Sequence, residues 1–174
     1  MVAMEPLREL LSVDERRTLE FFVLGLKDVC DEGVDVDELL YNASVLAHYA
    51  LVSTESTTDW PAPTTLTTVF DQFVHEPDVV PTTSLMEEAA AQCLLMTGFF
   101  ENQMRGRHNI RWYAGLGASF FARAADQSPS LRRAQFLHTM ARHFEAWRCR
   151  YARLSRELRD TPYLLRLPNP PALM

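Results

Sequence analysis

Residues 130–159 read Ser130-Leu-Arg-Arg-Ala-Gln-Phe-Leu-His-Thr-Met-Ala-Arg-His-Phe-Glu-Ala-Trp-Arg-Cys-Arg-Tyr-Ala-Arg-Leu-Ser-Arg-Glu-Leu-Arg159. At about 100° per residue, Phe136, Met140, Phe144, Trp147, Tyr151, Leu154 and Leu158 gather within roughly one third of a helix circumference. Arg142, Arg148, Arg150, Arg153, Arg156 and Arg159 spread over the opposite side. The spacing predicts one long amphipathic helix from about Ser130 to Arg159, with Ser128-Pro129 supplying its cap and first position. An aromatic stripe of this kind needs other helices to cover it.

Those helices are marked on either side. Ser12-Val-Asp-Glu15, Asp35-Val-Asp-Glu38 and Ser84-Leu-Met-Glu87 each have the spacing of a capping box, in which the first side chain takes an orphan backbone N–H and the glutamate reaches back. They predict helices over about 13–32, stopped by Gly33, over about 35–52, and over about 84–104. Ile110 to Asp126 is another, after the turn at Arg105-Gly-Arg-His-Asn109, and a short helix is expected over 64–75. No run alternates β-branched or aromatic residues with polar ones, and no Asn-Gly or Asp-Gly hairpin turn occurs. Residues 53–63 have loop composition, and the proline-rich end, 163–174, is expected to be an extended tail. The expectation is an all-α fold: one domain over 1–174, a bundle of five to six helices.

Composition agrees with a globular core. Of the 174 residues, 47% are hydrophobic and 23% charged, close to the ordinary values of about 45–50% and about 25%. Three scattered cysteines, Cys30, Cys93 and Cys149, do not form a disulfide framework or a CxxC pair. Glu5 and Glu9 stand where a signal peptide would carry positive charge, and no apolar run approaches the ~20 residues of a membrane span. A cytoplasmic location and no membrane partner are therefore expected.

The net charge of −6 averages two unlike regions. Residues 1–104 carry four basic and 19 acidic side chains, a net of −15, whereas residues 105–174 carry 13 arginines and four acids, a net of +9. The basic part can fold against the acidic part, pair across a homodimer, or meet an anionic partner. Nucleic acid is an unfavoured partner, because the acidic region repels it at long range. The 16 arginines to one lysine suit bidentate anion recognition, and codon usage in a GC-rich genome produces the same bias.

Several groups are candidate sites. Arg105-Gly-Arg-His-Asn-Ile-Arg-Trp-Tyr113 brings Arg105, Arg107 and Arg111 to a helix N-terminus, where guanidinium and backbone N–H groups suit a phosphate or carboxylate; an ordinary helix corner has the same composition. With the last helix, the candidate anion or partner surface is Arg105, Arg107, Arg111, Arg142, Arg148, Arg150, Arg153 and Arg156. Gly115, Ala118 and Ala122 form a flat strip, and each helical glycine costs about 0.8–1.0 kcal/mol relative to alanine. Close approach of another backbone explains the strip. A cleft bordered by Gly98, Gly115 and Gly117 is the alternative. Cys149, between Arg148 and Arg150, is a candidate reactive thiol because neighbouring positive charge favours thiolate.

Other chemistry is not signalled. Gly115-x-Gly117 lacks the third glycine of a dinucleotide fingerprint and follows no strand. His138 and His143 are five apart and fall on different faces, His48 sits in an apolar helix as a core histidine would, and nothing selects His48, His108 or Cys93 as a haem ligand. No catalytic residue, cofactor or metal is expected.

Thr97-Gly-Phe-Phe100, an arginine-bearing turn and Trp112-Tyr-x-Gly-Leu-Gly-Ala-x-x-Phe-x-x-Ala-Ala125 together resemble a segment of uncharacterised bacterial all-helical proteins. The resemblance covers about a third of the chain and implies bacterial origin and an all-α fold, with no assigned activity. The leading expectation is a cytoplasmic, non-catalytic interaction or regulatory module, with a protein partner or a second copy. A small-molecule-binding or enzymatic bundle is the alternative, and nucleic-acid binding a weaker one.

Overall fold

The computed structural model describes residues 13–55, 83–106 and 108–158. In chain order its elements are α1 (Val13–Val29), α2 (Val36–Glu55), α3 (Thr83–Leu94), a π turn (Leu95–Phe99), α4 (Glu101–Met104), α5 (Ile110–Gln127), α6 (Leu131–Arg142) and α7 (Phe144–Glu157). Among the described residues there is no strand, so the fold is all-α. The expected helix over 64–75, the capping serine Ser12 and the proline-rich tail lie outside the described residues.

Two expected helices are each divided, which raises the helix count above five to six. The run expected over 84–104 widens into the π turn, where the Phe100 N–H bonds to the Leu95 carbonyl at 3.0 Å, five residues back. The long C-terminal run bends at His143 (φ −94°, ψ 11°), although helical hydrogen bonds continue through it from His143 to Thr139 and from Trp147 to His143. The cap of α6 is Ser130, whose hydroxyl accepts from the Arg133 N–H at 3.3 Å, and not Ser128. Asn109 caps α5 in the same way, accepting from the Trp112 N–H at 3.1 Å. Gly33 lies in the α1–α2 connection at φ +90°, a left-handed conformation suited to glycine.

The expected apolar stripe faces the core. Met140, Phe144, Trp147, Tyr151 and Leu154 are buried, with Phe136 and Leu158 packed at the margin. Helices α1 and α2 pair as a hairpin, α3 packs along α5, and α5 along α6. Helix α7 closes the bundle against the π turn, α1 and α5.

Close packing explains two of the three glycines of the expected cleft. A Cβ on Gly98, in the π turn, would lie 2.8 Å from the Tyr151 Cβ and 2.9 Å from the Arg148 carbonyl oxygen. A Cβ on Gly117 would lie 2.6 Å from the Phe144 ring and 2.7 Å from the Cys93 Cβ. Both are contact points between helices. Gly115 differs: it is exposed, and a Cβ there would meet nothing within 4 Å.

Two capping-box glutamates serve the tertiary structure instead of their own helix ends. Asp35 accepts from the Glu38 N–H at 3.1 Å, as a cap should. The Glu38 carboxylate, though, is buried, and its Oε1 accepts from the Trp147 indole N–H at 3.0 Å and meets His143 Nδ1 at 2.8 Å. One turn on, the Asn42 amide donates to the Glu38 carbonyl at 2.8 Å and accepts from the Tyr151 hydroxyl at 2.7 Å. Glu87 likewise accepts from the Tyr41 hydroxyl at 2.9 Å and pairs with Arg133, whose guanidinium also lies over the Tyr41 and Phe136 rings.

Candidate groove between α5 and the α6–α7 bend

The bend at His143 leaves a groove of about 680 Å³ beside α5. Its floor is made of small and apolar residues: Ala114, Gly115 and Ala118 from α5, and Ala141 and Phe144 from the bend. Gly115 therefore borders a hollow, while Gly98 and Gly117 are closed over by α7 and Phe144 and do not. The expected three-glycine cleft reduces to one glycine and its alanine neighbours. A second hollow of about 670 Å³, lined by Ala122, Gln135, His138 and Thr139, adjoins the groove through Ala141 and Arg142.

Three of the candidate arginines converge on this groove. Arg111 enters from the first turn of α5, Arg142 from the end of α6 and Arg148 from α7. Arg111 and Arg142 are exposed, and Arg142 donates to the Thr139 hydroxyl at 3.3 Å. Arg148 is mostly buried and fully engaged. It donates to Glu145 through Nε at 2.9 Å and Nη2 at 2.6 Å, and to Glu101 Oε2 at 3.3 Å and the Thr97 carbonyl at 3.2 Å. The hydrogen bond from Arg148, with its charge and that of Arg111, holds the Glu145 carboxyl below the usual carboxylate range. The groove thus carries three guanidinium groups and one carboxylate over an apolar floor.

The remaining candidates are placed apart from it. Arg105 pairs with Glu101 one helical turn before it, Arg150 lies over the Trp147 ring at 4.5 Å, and Arg153 and Arg156 are exposed on α7. Arg107 lies outside the described residues. The arginine side of α7 thus meets the acidic half of the chain at Arg148 and Glu101, and Arg153 and Arg156 have no described carboxylate within ion-pair distance. Cys149 is exposed, with its sulfur 3.7 Å from Arg148 Nη2 and 3.8 Å from Glu145 Oε1. His48, expected in the core, is exposed on α2.

Sequence reasoning missed the buried polar cluster of Glu38, Asn42, Trp147 and Tyr151, which exposed His143 joins from its edge. One signal was present: Glu38 and Asn42 are four apart, on the helix face that also carries Leu39, Ala43 and Leu46. Among the described residues no group of three or more His, Cys, Asp or Glu side chains could hold a metal ion, and no helix is long and apolar enough to cross a membrane. The chain matches no protein-family model, no curated protein and no solved structure.

Proposed function

We propose that the protein is a non-catalytic, cytoplasmic bacterial interaction module that docks an acidic protein segment in the groove between α5 and the α6–α7 bend. The observation that carries this reading is the convergence of exposed Arg111 and Arg142 on a floor of Ala114, Gly115, Ala118 and Ala141. Apolar floor contacts supply affinity in such an arrangement, and rim charges select the partner and its register. Arg148 stays with Glu145 and Glu101 and shapes the wall.

A photo-crosslinking residue placed at Gly115, where the side chain has open space, tests the reading in cells. The expected result is covalent capture of a protein through an acidic surface segment, lost in the Arg111→Glu/Arg142→Glu variant. Capture that ignores the charge reversal, or no capture, overturns it.

A second reading is supported by the size of the groove, which falls within the ~300–1,000 Å³ of small-ligand sites. An apolar carboxylate would then lie on the alanine floor with its charge toward Arg111 and Arg142. A thermal upshift with such ligands, in the absence of any crosslinked protein, would favour this reading.

A further inference from the structure

The molecule carries a surface that complements its own groove. The α1–α2 turn exposes Asp28, Asp31, Glu32, Asp35 and Asp37 within ten residues, and no lysine or arginine occurs between Lys27 and Arg105. In the middle of these carboxylates Val36 is 51% exposed, an apolar side chain at the first position of α2. The groove has the converse pattern, with small residues in the floor and Arg111 and Arg142 at the rim.

The two surfaces lie on different sides of α7. Glu38, in the first turn of α2, meets α7 through Trp147, whereas Phe144, Glu145 and Arg148 line the groove. On α7 the groove residues Phe144, Arg148 and Glu145 stand about 60°, 100° and 160° round the helix from Trp147, so the two surfaces face different directions. A turn and a groove so placed are different patches of one surface, so joining them links two copies head to tail.

We propose that the acidic partner of the groove is a second copy of this chain: Val36 enters between Arg111 and Arg142 of a neighbouring molecule, and Asp31, Glu32 and Asp37 meet its arginine rim. The proposal rests on the docking reading above and names its occupant. A contact made by one turn is small, which places it among weak, transient associations. Because each copy keeps a free groove and a free turn at its ends, association is open-ended.

Sedimentation between about 10 μM and 1 mM, the range of weak contacts, provides the test. The mean mass of the wild type is expected to rise with concentration and to fall back in high salt. Arg111→Gln/Arg142→Gln removes the charge of the groove, and Asp31→Asn/Glu32→Gln that of the turn, without making the two variants complementary to each other. Each variant alone is expected to stay at the monomer mass. An equimolar mixture of the two retains one intact groove and one intact turn per pair, so its mass should approach twice the monomer and stop there.

Arg142→Gln and Val36→Ser, single exposed changes, replace either variant that does not fold. A wild type monomeric at 1 mM, or a mixture that stays monomeric, overturns self-docking. If the Gly115 crosslinker then captures a different acidic protein, the docking reading stands without this inference; if it captures nothing, both fall.

Discussion

The indole N–H of Trp147 donates to the buried carboxylate of Glu38 at 3.0 Å, tying α7 to α2 across 109 positions of sequence. His143, at the bend between α6 and α7, shares the same oxygen. One carboxylate therefore fixes both the closing helix and the point where it bends. Arg142 and Phe144, on either side of that bend, line the groove beside α5.

Replacing Glu38 by alanine leaves the Trp147 N–H buried without an acceptor. A donor stranded in this way costs about 1–3 kcal/mol. Urea unfolding followed by tryptophan fluorescence should show a loss of that size. Glu38→Gln, which keeps an acceptor oxygen in reach of Trp147, should lose less. Equal losses for the two variants would show that the hydrogen bond contributes little.

Alanine at two glycines should have opposite effects. At Gly98 the added carbon meets the Tyr151 Cβ and the Arg148 backbone, neither of which can rotate away, and overpacking of this kind costs about 1–3 kcal/mol. At Gly115 the carbon enters open space in a helix, which stabilises by about 0.5–1 kcal/mol. Thermal unfolding of the two variants beside the wild type is the measurement, and shifts of the same sign would contradict the packing described.

The three thiols should react in separate phases. Cys149 is exposed and should be modified first in the native protein. Cys30 is half-buried, and burial raises its thiol although Arg150 opposes the shift, so it should follow slowly. Cys93 is fully buried and pushed up to about 12 by desolvation; it should react only as fast as the bundle opens. Two rapidly reacting thiols in folded protein would place Cys30 in solvent.

Acid should remove the contribution of Glu145. Its carboxyl is lowered in the folded state, chiefly by the hydrogen bond from Arg148, so its stabilisation is full above the ordinary carboxylate pKa of about 4.3. It is lost as the pH falls through the lower, folded value. Since Glu145 is 66% exposed, solvent screening limits the effect to about 0–1 kcal/mol. The stability difference between wild type and Glu145→Gln should be constant from pH 7 to about 5 and shrink below about 4; a difference that grows in acid would reverse the assigned sign.

Periodicity carried most of the fold. The stripe from Phe136 to Leu158 repeats every three to four residues because one face packs, Gly33 acts through its own backbone and the Asn109 side chain through an amide three residues on, so the determinants of these features are local. The bend at His143 and the widening after Leu94 were not legible in the same way. At each a distant side chain takes up a group, Glu38 meeting His143 and Arg148 donating to the Thr97 carbonyl, and no window of neighbouring residues contains those partners. The glutamates of two capping boxes depart from their expected role for the same reason, although Asp35 caps its helix as expected. Their spacing describes what Glu38 and Glu87 are able to reach locally, while Trp147 and Arg133 offer contacts the local sequence does not display. Of the candidate site, residue types were legible and their grouping was not: Arg111, Arg142 and Arg148 meet only because α6 and α7 fold back along α5.

The π turn has a consequence for how this chain tolerates change in length. A hydrogen bond that spans five residues where its neighbours span four accommodates one residue more than a regular helix would, an offset of about 100°. At its end, Phe99 and Phe100 are buried, with Phe100 edge-on to Tyr49 at 5.3 Å. Deleting a single residue between Leu95 and Phe99 would let the helix run on regularly, with every bond satisfied, and would swing those rings and Met104 out of the core. Local regularity and the tertiary fold are opposed at this point. The extra residue keeps the register that Tyr49 and Tyr151 require, so these positions, Gly98 apart, should accept conservative substitution more readily than they accept a change in number.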